Sequence, residues 1–252
     1  MSEKTFSMSK GLGTLGGLLA AGLIVAAFVL GTQFKNFRQP GTITVKGLAE
    51  KNFQSDQALW NTSVSLHADT YQEVLDALKK QRPKLKKFLL EQGFAENEIQ
   101  TGTPEITRAY ITEYDEHRNE RRVPSGYDGT QTITVRTDKL NKIQAAHKAI
   151  LNLRAQNEFI DFSDPQYLLG NLETIKRDLI NQATQDAHKR AQEFAKTSSS
   201  KVGTMRSASQ GSFNIYADSG KGAEDEDYGG TYDKSTIGKQ VRLVVTIEYN
   251  ID

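Results

Sequence analysis

Apolar residues fall along this chain in three rhythms. From Gly11 to Gln33 no residue is charged, and residues 18–30 are apolar almost throughout. At 1.5 Å of rise per helical residue, about 20 such residues cover the hydrocarbon core of a bilayer, so the stretch predicts a transmembrane helix. Beyond residue 42 the period drops to two. Ala58, Trp60, Val64, Leu66 and Ala68 share one side of a segment, and Val241, Leu243, Val245, Ile247, Tyr249 and Ile251 share one side of another. Alternation of this kind marks half-buried strands. Further strands are expected at Ile43 and Val45, from Ile99 to Tyr114, and from Thr130 to Thr137, where Ile133 and Val135 face together.

The third rhythm is helical. After Asp69 and Thr70, which suit an N-cap, Val74, Leu75, Leu78, Leu85, Phe88 and Leu89 run to Gly93, a stop signal. Pro83 lies inside this run and is expected to kink or break it, because proline removes a donor and crowds the preceding turn. A second helix is expected after Asp138, on Leu140, Ile143, Ala146, Ile150 and Leu151. A third carries Leu172, Ile175, Leu179, Ile180, Ala183, Ala187, Ala191, Phe194 and Ala195. Its alanine stripe predicts close packing on a sheet.

In order these segments give β-β-α-β-β-α-β-α-β-β. The fold class is α+β: an N-terminal transmembrane helix, then a mainly antiparallel sheet domain with helices packed on it. A strand–helix–strand–strand unit repeats in pattern over residues 57–137 and 158–251. The organisation is then residues 1–10 as a cytoplasmic N-terminus, 11–33 as the anchor, 34–41 as a linker and 42–252 as an exported domain. Charged residues 115–126 and the Gly-, Asp-, Ser- and Glu-rich residues 214–236 are expected to be exposed, mobile loops.

A cleaved signal peptide is the rival to a retained anchor. Signal peptidase requires small residues at the third and first positions before the cut, and Ala27-Phe28-Val29 fits poorly. Both readings export the remainder. Lys4 and Lys10 before the span and Lys35 and Arg38 after it give no charge bias to orient it. Gly13, Gly17 and Ala21 recur every fourth residue and would let two helices approach closely, although such residues are also common in any membrane span.

Composition narrows the function classes. The net charge is +1, so a nucleic-acid partner is not expected. Without a single cysteine the chain has no disulfide, thiolate metal site or cysteine nucleophile. His67, His117, His147 and His188 lack ligand spacing and read as ordinary surface residues. No serine sits in a G-x-S-x-G elbow, and Gly220-Lys-Gly222 is not a phosphate loop. Glu224 to Asp227, with Asp218 or Asp233 nearby, lacks the ordered spacing of a calcium loop.

Lys79, Lys80, Arg82, Lys84, Lys86 and Lys87 form the strongest basic cluster, a contact surface for anionic lipid or the wet face of an amphipathic helix. Gln210-Gly211-Ser212-Phe213 is expected to mark a bulge or close backbone approach at a strand end. No catalytic, cofactor-binding or metal-ligating set emerges, and no cofactor is expected.

Short stretches in a fixed order give the chain a resemblance to the SIMPL-domain family, in particular to its N-terminally anchored bacterial branch. They include Val45-Lys-Gly-Leu-Ala-Glu50, Asp56 with Trp60, Gly93-Phe94 with Ile99-Gln-Thr101, and Tyr127 before Ile133-Thr-Val135. Ile175-Lys176, Ala183-Thr184, Asp186-Ala187, Ser200-Lys-Val-Gly203, Gln210-Gly211 with Phe213, and Val241 through Tyr249 continue the series. The resemblance implies a periplasmic α+β domain on the bacterial inner membrane, a ring-like homo-oligomer, and a link to envelope or oxidative stress without established enzymology. It carries no catalytic residues across. The leading expectation is a non-enzymatic, oligomerising envelope protein. Two alternatives stay open: a periplasmic hydrolase or lipid-modifying enzyme whose acids, such as Asp56 or Glu105, gather only in three dimensions, and a partner-binding module acting through residues 214–236.

Overall fold

A computed structural model describes residues 16–31, 41–114, 116, 118–218 and 230–251. Helix α1 (16–31) is exposed along its whole length. The expected span of 11–33 extends beyond it on both sides, outside the described residues, as does Gly13. Among the described residues no helix is long and apolar enough to cross a membrane.

The remaining elements run β1 (Gly41–Gln54), β2 (Gln57–Ala68), α2 (Tyr71–Glu91), a short 3-10 turn (Glu96–Glu98), β3 (Ile99–Thr101), β4 (Glu105–Tyr114) and β5 (Glu120–Thr137). Then come α3 (Leu140–Gln156), β6 (Ile160–Phe162), β7 (Gln166–Leu168), α4 (Leu172–Thr197), β8 (Val202–Ala217) and β9 (Gly238–Ile251). The class is α+β, and every strand pairing is antiparallel.

There are two sheets, each with its own core. In one, the order is β1-β9-β8; in the other it is β3-β5-β2-β6, with β4 also on β5 and β7 also on β2. The first sheet buries Val45, Ala49, Val241, Leu243, Val245, Ile247 and Tyr249 against Leu179, Ala183, Ala187 and Ala191 of α4. The second buries Trp60, Val64, Ile133 and Val135 with Val74, Leu78, Leu85 and Leu89 of α2 and Ile143, Ala146 and Ile150 of α3. Each such large apolar side chain contributes roughly 1.5–3 kcal/mol when fully buried.

The repeated unit is real but nested. In the second sheet the first, second and third strands of a β-α-β-β unit are β2, β4 and β5, with β5 between the other two. In the first sheet the same places fall to β1, β8 and β9, with β9 in the centre and α4 as the helix. The second unit therefore does not open at residue 158: its first strand is β1, and the whole first unit is inserted between β1 and α4. The short β6 and β7 lie in the stretch that was expected to open it, and both pair with β2 instead. Periodicity identifies a strand but not its partner, so the two readings differ only in which strand is borrowed.

The crossing between sheets is held by backbone bonds. Ser55 N donates to Ile237 O at 2.8 Å, Asp56 N to Leu168 O at 3.1 Å, and Tyr167 N to Lys234 O at 2.8 Å.

Three local expectations are corrected. Helix α2 runs unbroken through Pro83, with buried Leu78 on one side and Leu85, Phe88 and Leu89 on the other holding both halves to the sheet. Its start is fixed by a capping box, in which Thr70 Oγ1 accepts from Glu73 N and Glu73 accepts from Thr70 N. Helix α3 follows Asp138 as expected, and at its start Lys139 N donates to Thr137 Oγ1. Phe194 is exposed, because only the alanine side of α4 meets the sheet.

The third correction concerns the loops. Strand β5 begins at Glu120, so 115–126 is largely the end of a β4–β5 hairpin. Strand β8 continues to Ala217 with Asn214 and Ile215 buried, and Tyr232 bridges Ile215 in parallel. The expected loop 214–236 is thus structured at both of its ends.

Candidate functional site

Even-numbered positions of β1 and β9 point away from α4, and no described element packs over them as α4 packs over the odd ones. On this open face the register sets Lys46 opposite Thr246, Leu48 opposite Val244, and Glu50 opposite Arg242. On the other side of β9, Asn214 lies opposite Arg242. Between Gln210, opposite Val245, and Phe213, opposite Leu243, β8 takes three steps where β9 takes two. The extra residue makes a bulge at Gly211-Ser212, which bends an edge strand and re-aims its side chains. The bulge was anticipated, but it lies inside β8 and does not end it.

The bent face encloses a cleft of about 300 Å³. Lys46, Arg190 and Arg242 line it together with Ser212, Asn214 and Tyr216; Leu48 and Val244 supply apolar surface. Among the described residues no carboxylate or imidazole lines it.

The cations are held in different ways. Arg190 Nε donates to Asp186 Oδ2 at 2.8 Å, and the same oxygen accepts from Leu48 N at 2.9 Å, which ties α4 to the edge of β1. Arg242 Nε lies 3.3 Å from Glu50 Oε1, but the approach is too oblique for a hydrogen bond and the nitrogen is shielded from solvent. Asn214 Oδ1 accepts from Thr231 N at 2.9 Å. Among the described residues, donors dominate the lining. The chemistry they offer is recognition of an anion.

A second concavity lies at the base of the β4–β5 hairpin, where Tyr71, Arg108, Gly126 and Tyr127 contribute to a cavity of about 440 Å³. Arg108 donates to the Tyr127 hydroxyl at 3.1 Å, and Tyr71 meets Tyr127 edge-on at 6.1 Å. Farther out, Tyr110, Ile111 and Tyr114 are exposed, and the Arg122 guanidinium stacks 4.9 Å from the Tyr110 ring.

The residues singled out in the sequence do not converge. In the basic cluster, Lys79 pairs with Asp76, Lys86 with Glu96 and Lys87 with Glu91, while Lys80 and Lys84 are exposed and Arg82 is half-buried. Gly17 and Ala21 lie on α1, and a Cβ at Gly17 would meet nothing within 4 Å. Asp56 Oδ1 accepts from Gly170 N at 2.6 Å, whereas Glu105 is exposed opposite Thr130; neither lines the cleft. His67 Nδ1 is 2.8 Å from Asp128 Oδ1, and His188 packs on Tyr249. His147 stands edge-on to Trp60 and Phe162. His117 and Glu224–Asp227 lie outside the described residues. Among the described residues no group of three His, Asp or Glu could hold a metal ion.

Sequence reasoning missed Lys46, Arg190 and Arg242. A signal was present: Lys46 and Arg242 occupy the polar beats of two alternating strands. What it lacked was the pairing of the first strand with the last.

Comparison with protein families matches residues 43–249 to the SIMPL family, described as a protein of unknown function (DUF541). Comparison with curated proteins gives no match.

Proposed function

Because the chain belongs to the SIMPL family, we propose that it is a non-enzymatic, oligomerising scaffold of the bacterial cell envelope, tethered to the inner membrane by residues 11–33 with its folded domain on the periplasmic side. The observation that carries this reading is α1, on which Leu18, Leu19, Leu23, Ile24, Val25, Phe28 and Leu30 are all more than half exposed. Exposed apolar surface of that extent is unfavourable in water and calls for lipid or another helix. The uncharged sequence continues on both sides of α1, to Gly11 and Gln33.

Two features support self-assembly. Among the described residues, 231–233 cover the outer edge of β8 near its C-terminal end, and residues 204–211 are exposed on an edge strand. Unpaired strand edges are templates for pairing with another chain. The β4–β5 hairpin adds exposed tyrosines on an arm beyond the core. In this reading the assembly serves the response to envelope or oxidative stress.

Two measurements test the proposal. Alkaline phosphatase fused after Asp252 should be active in living bacteria, and activity only for a cytoplasmic reporter would overturn the topology. Light scattering of the full-length protein in mild detergent should give a mass several times that of the monomer. A monomer mass would remove the assembly.

A further inference from the structure

We propose that the cleft on the open face of the β1-β9-β8 sheet binds a phosphate monoester. The proposal goes beyond the tether and the assembly and rests on neither.

The first argument is charge. Lys46, Arg190 and Arg242 line the cleft, and no carboxylate among the described residues does. Glu50 and Asp186, which stand beside the two arginines, meet each guanidinium at Nε. The hydrogen bond to Asp186 pins Arg190, and both contacts leave the paired terminal amino groups of the fork, the edge that grips a phosphate in bidentate fashion. Lys46 has no hydrogen-bond or ion-pair partner among the described residues. Counting the two neighbouring acids, the described residues of the site keep one uncompensated positive charge.

The second argument is the excess of donors. Asn214 is 5% exposed, and its Oδ1 is already occupied by Thr231 N. The amide nitrogen is therefore the atom it has left to offer. Hydroxyls of Ser212, Tyr216 and Thr246 add donors on β8 and β9. These groups come from three strands and a helix, so they approach from different directions. A tetrahedral phosphate presents oxygens in several directions; a planar carboxylate presents two in one plane.

The third argument is shape. About 300 Å³ is more than inorganic phosphate fills and is at the lower end of small-molecule sites. Leu48 and Val244 give the remainder an apolar floor, which fits an ester carrying a short organic group. Gly211 lines the cleft at the bulge, where an added Cβ would come within 3.2 Å of Val244 O.

Isothermal titration calorimetry on the full-length protein in mild detergent tests the site, with glycerol 3-phosphate, monomeric short-chain phosphatidic acid and succinate as probes. Glycerol 3-phosphate should bind. Lys46→Gln should weaken it about tenfold, the loss of one charge-assisted contact. Arg242→Lys, which keeps the charge beside Glu50, should weaken it similarly by removing the fork. Lys84→Gln on α2 should leave it unchanged. If phosphatidic acid binds and glycerol 3-phosphate does not, with the same variant pattern, the phosphate belongs to a lipid headgroup; if both bind, it belongs to a soluble ester as well. Three results overturn the proposal: no heat with either phosphate probe, succinate binding as tightly as glycerol 3-phosphate, or equal losses in Lys46→Gln and Lys84→Gln. Circular dichroism melts of each variant separate a lost contact from a lost fold.

Discussion

Lys239 is completely buried, and its ammonium donates to both the backbone oxygen of Asp233, at 2.6 Å, and Asp233 Oδ2, at 2.8 Å. The same carboxylate accepts from Ser235 and Thr236, through both backbone and side chain. Burial opposes the charge on Asp233, but the bonds from Lys239, Thr236 and Ser235 outweigh it and hold its pKa well below the usual carboxylate range. The cluster folds residues 233–239 into the junction between the sheets, next to the Ser55–Ile237 bond.

The two halves of this pair should respond differently to substitution. Asp233→Asn leaves an ammonium buried without a counter-charge and should cost about 3–5 kcal/mol. Lys239→Met removes the charge, fills similar volume, and leaves Asp233 bonded to Ser235 and Thr236; it should cost less. Urea unfolding of both variants decides the matter, and a larger loss for Lys239→Met would contradict the role assigned to the pair.

Acid should expose a related dependence at Glu98. Partial burial raises the cost of its charge, yet bonds from Ala95 N, Thr137 Oγ1 and Lys139 prevail and lower its pKa from 4.5 to about 2. A group depressed in the folded state stabilises fully above its unfolded pKa and loses that contribution as pH falls through the folded one. Asp233 acts in the same direction. Stability should therefore decline as pH drops from about 5 toward 2. Glu98→Gln should be destabilised near neutral pH by about 1–2 kcal/mol and lose less stability over that window. Parallel urea-midpoint curves for the two proteins would exclude Glu98 as a contributor.

Gly47 marks the closest approach of β1 to α4. A Cβ there would lie 2.7 Å from both the Cβ and the backbone nitrogen of Ala187, on a helix whose position the alanine stripe sets. Gly47→Val should destabilise by about 3 kcal/mol or more through overpacking. Gly41→Ala, where nothing lies within 4 Å, should be neutral or slightly stabilising. Thermal melts compare them directly, and similar midpoints would mean that β1 and α4 are not in contact as described.

Assembly through the hairpin makes its own prediction. Tyr110 and Tyr114 lie on one side of β4 and are 47% and 65% exposed. Replacing both with serine should lower the solution mass measured by light scattering and leave the melting temperature within a few degrees. An unchanged mass would assign the contact elsewhere, to the open edge of β8 for example.

Much of the fold was legible because one face of each core strand is wet. The alternation of β9 from Val241 to Tyr249 matches its buried positions residue for residue. The hairpin end was not legible: neither side of Glu120 to Arg122 is buried, so no alternation records the strand. Pro83 misled because tertiary packing of Leu78 and Leu85 outweighs the local penalty. The cleft was hidden for another reason. Each of Lys46, Arg190 and Arg242 looks like an ordinary solvated residue on its own element, and only the pairing of β1 with β9 and the packing of α4 bring them together.

The nesting of one unit inside the other also dictates an order of events. β1 pairs with β9 along its whole length, from Gly41 with Ile251 to Gln54 with Gly238. Nearly the entire domain must therefore be made before the first strand finds its partner. Closing so long a loop slows folding, since its entropy is lost before the contacts that reward it can form. The β2–β5 sheet can be complete while Ile43, Val45 and Ala49 are still unpaired. For that interval β1 is a sticky, unclaimed ribbon, and a chaperone or a neighbouring chain has its opportunity then.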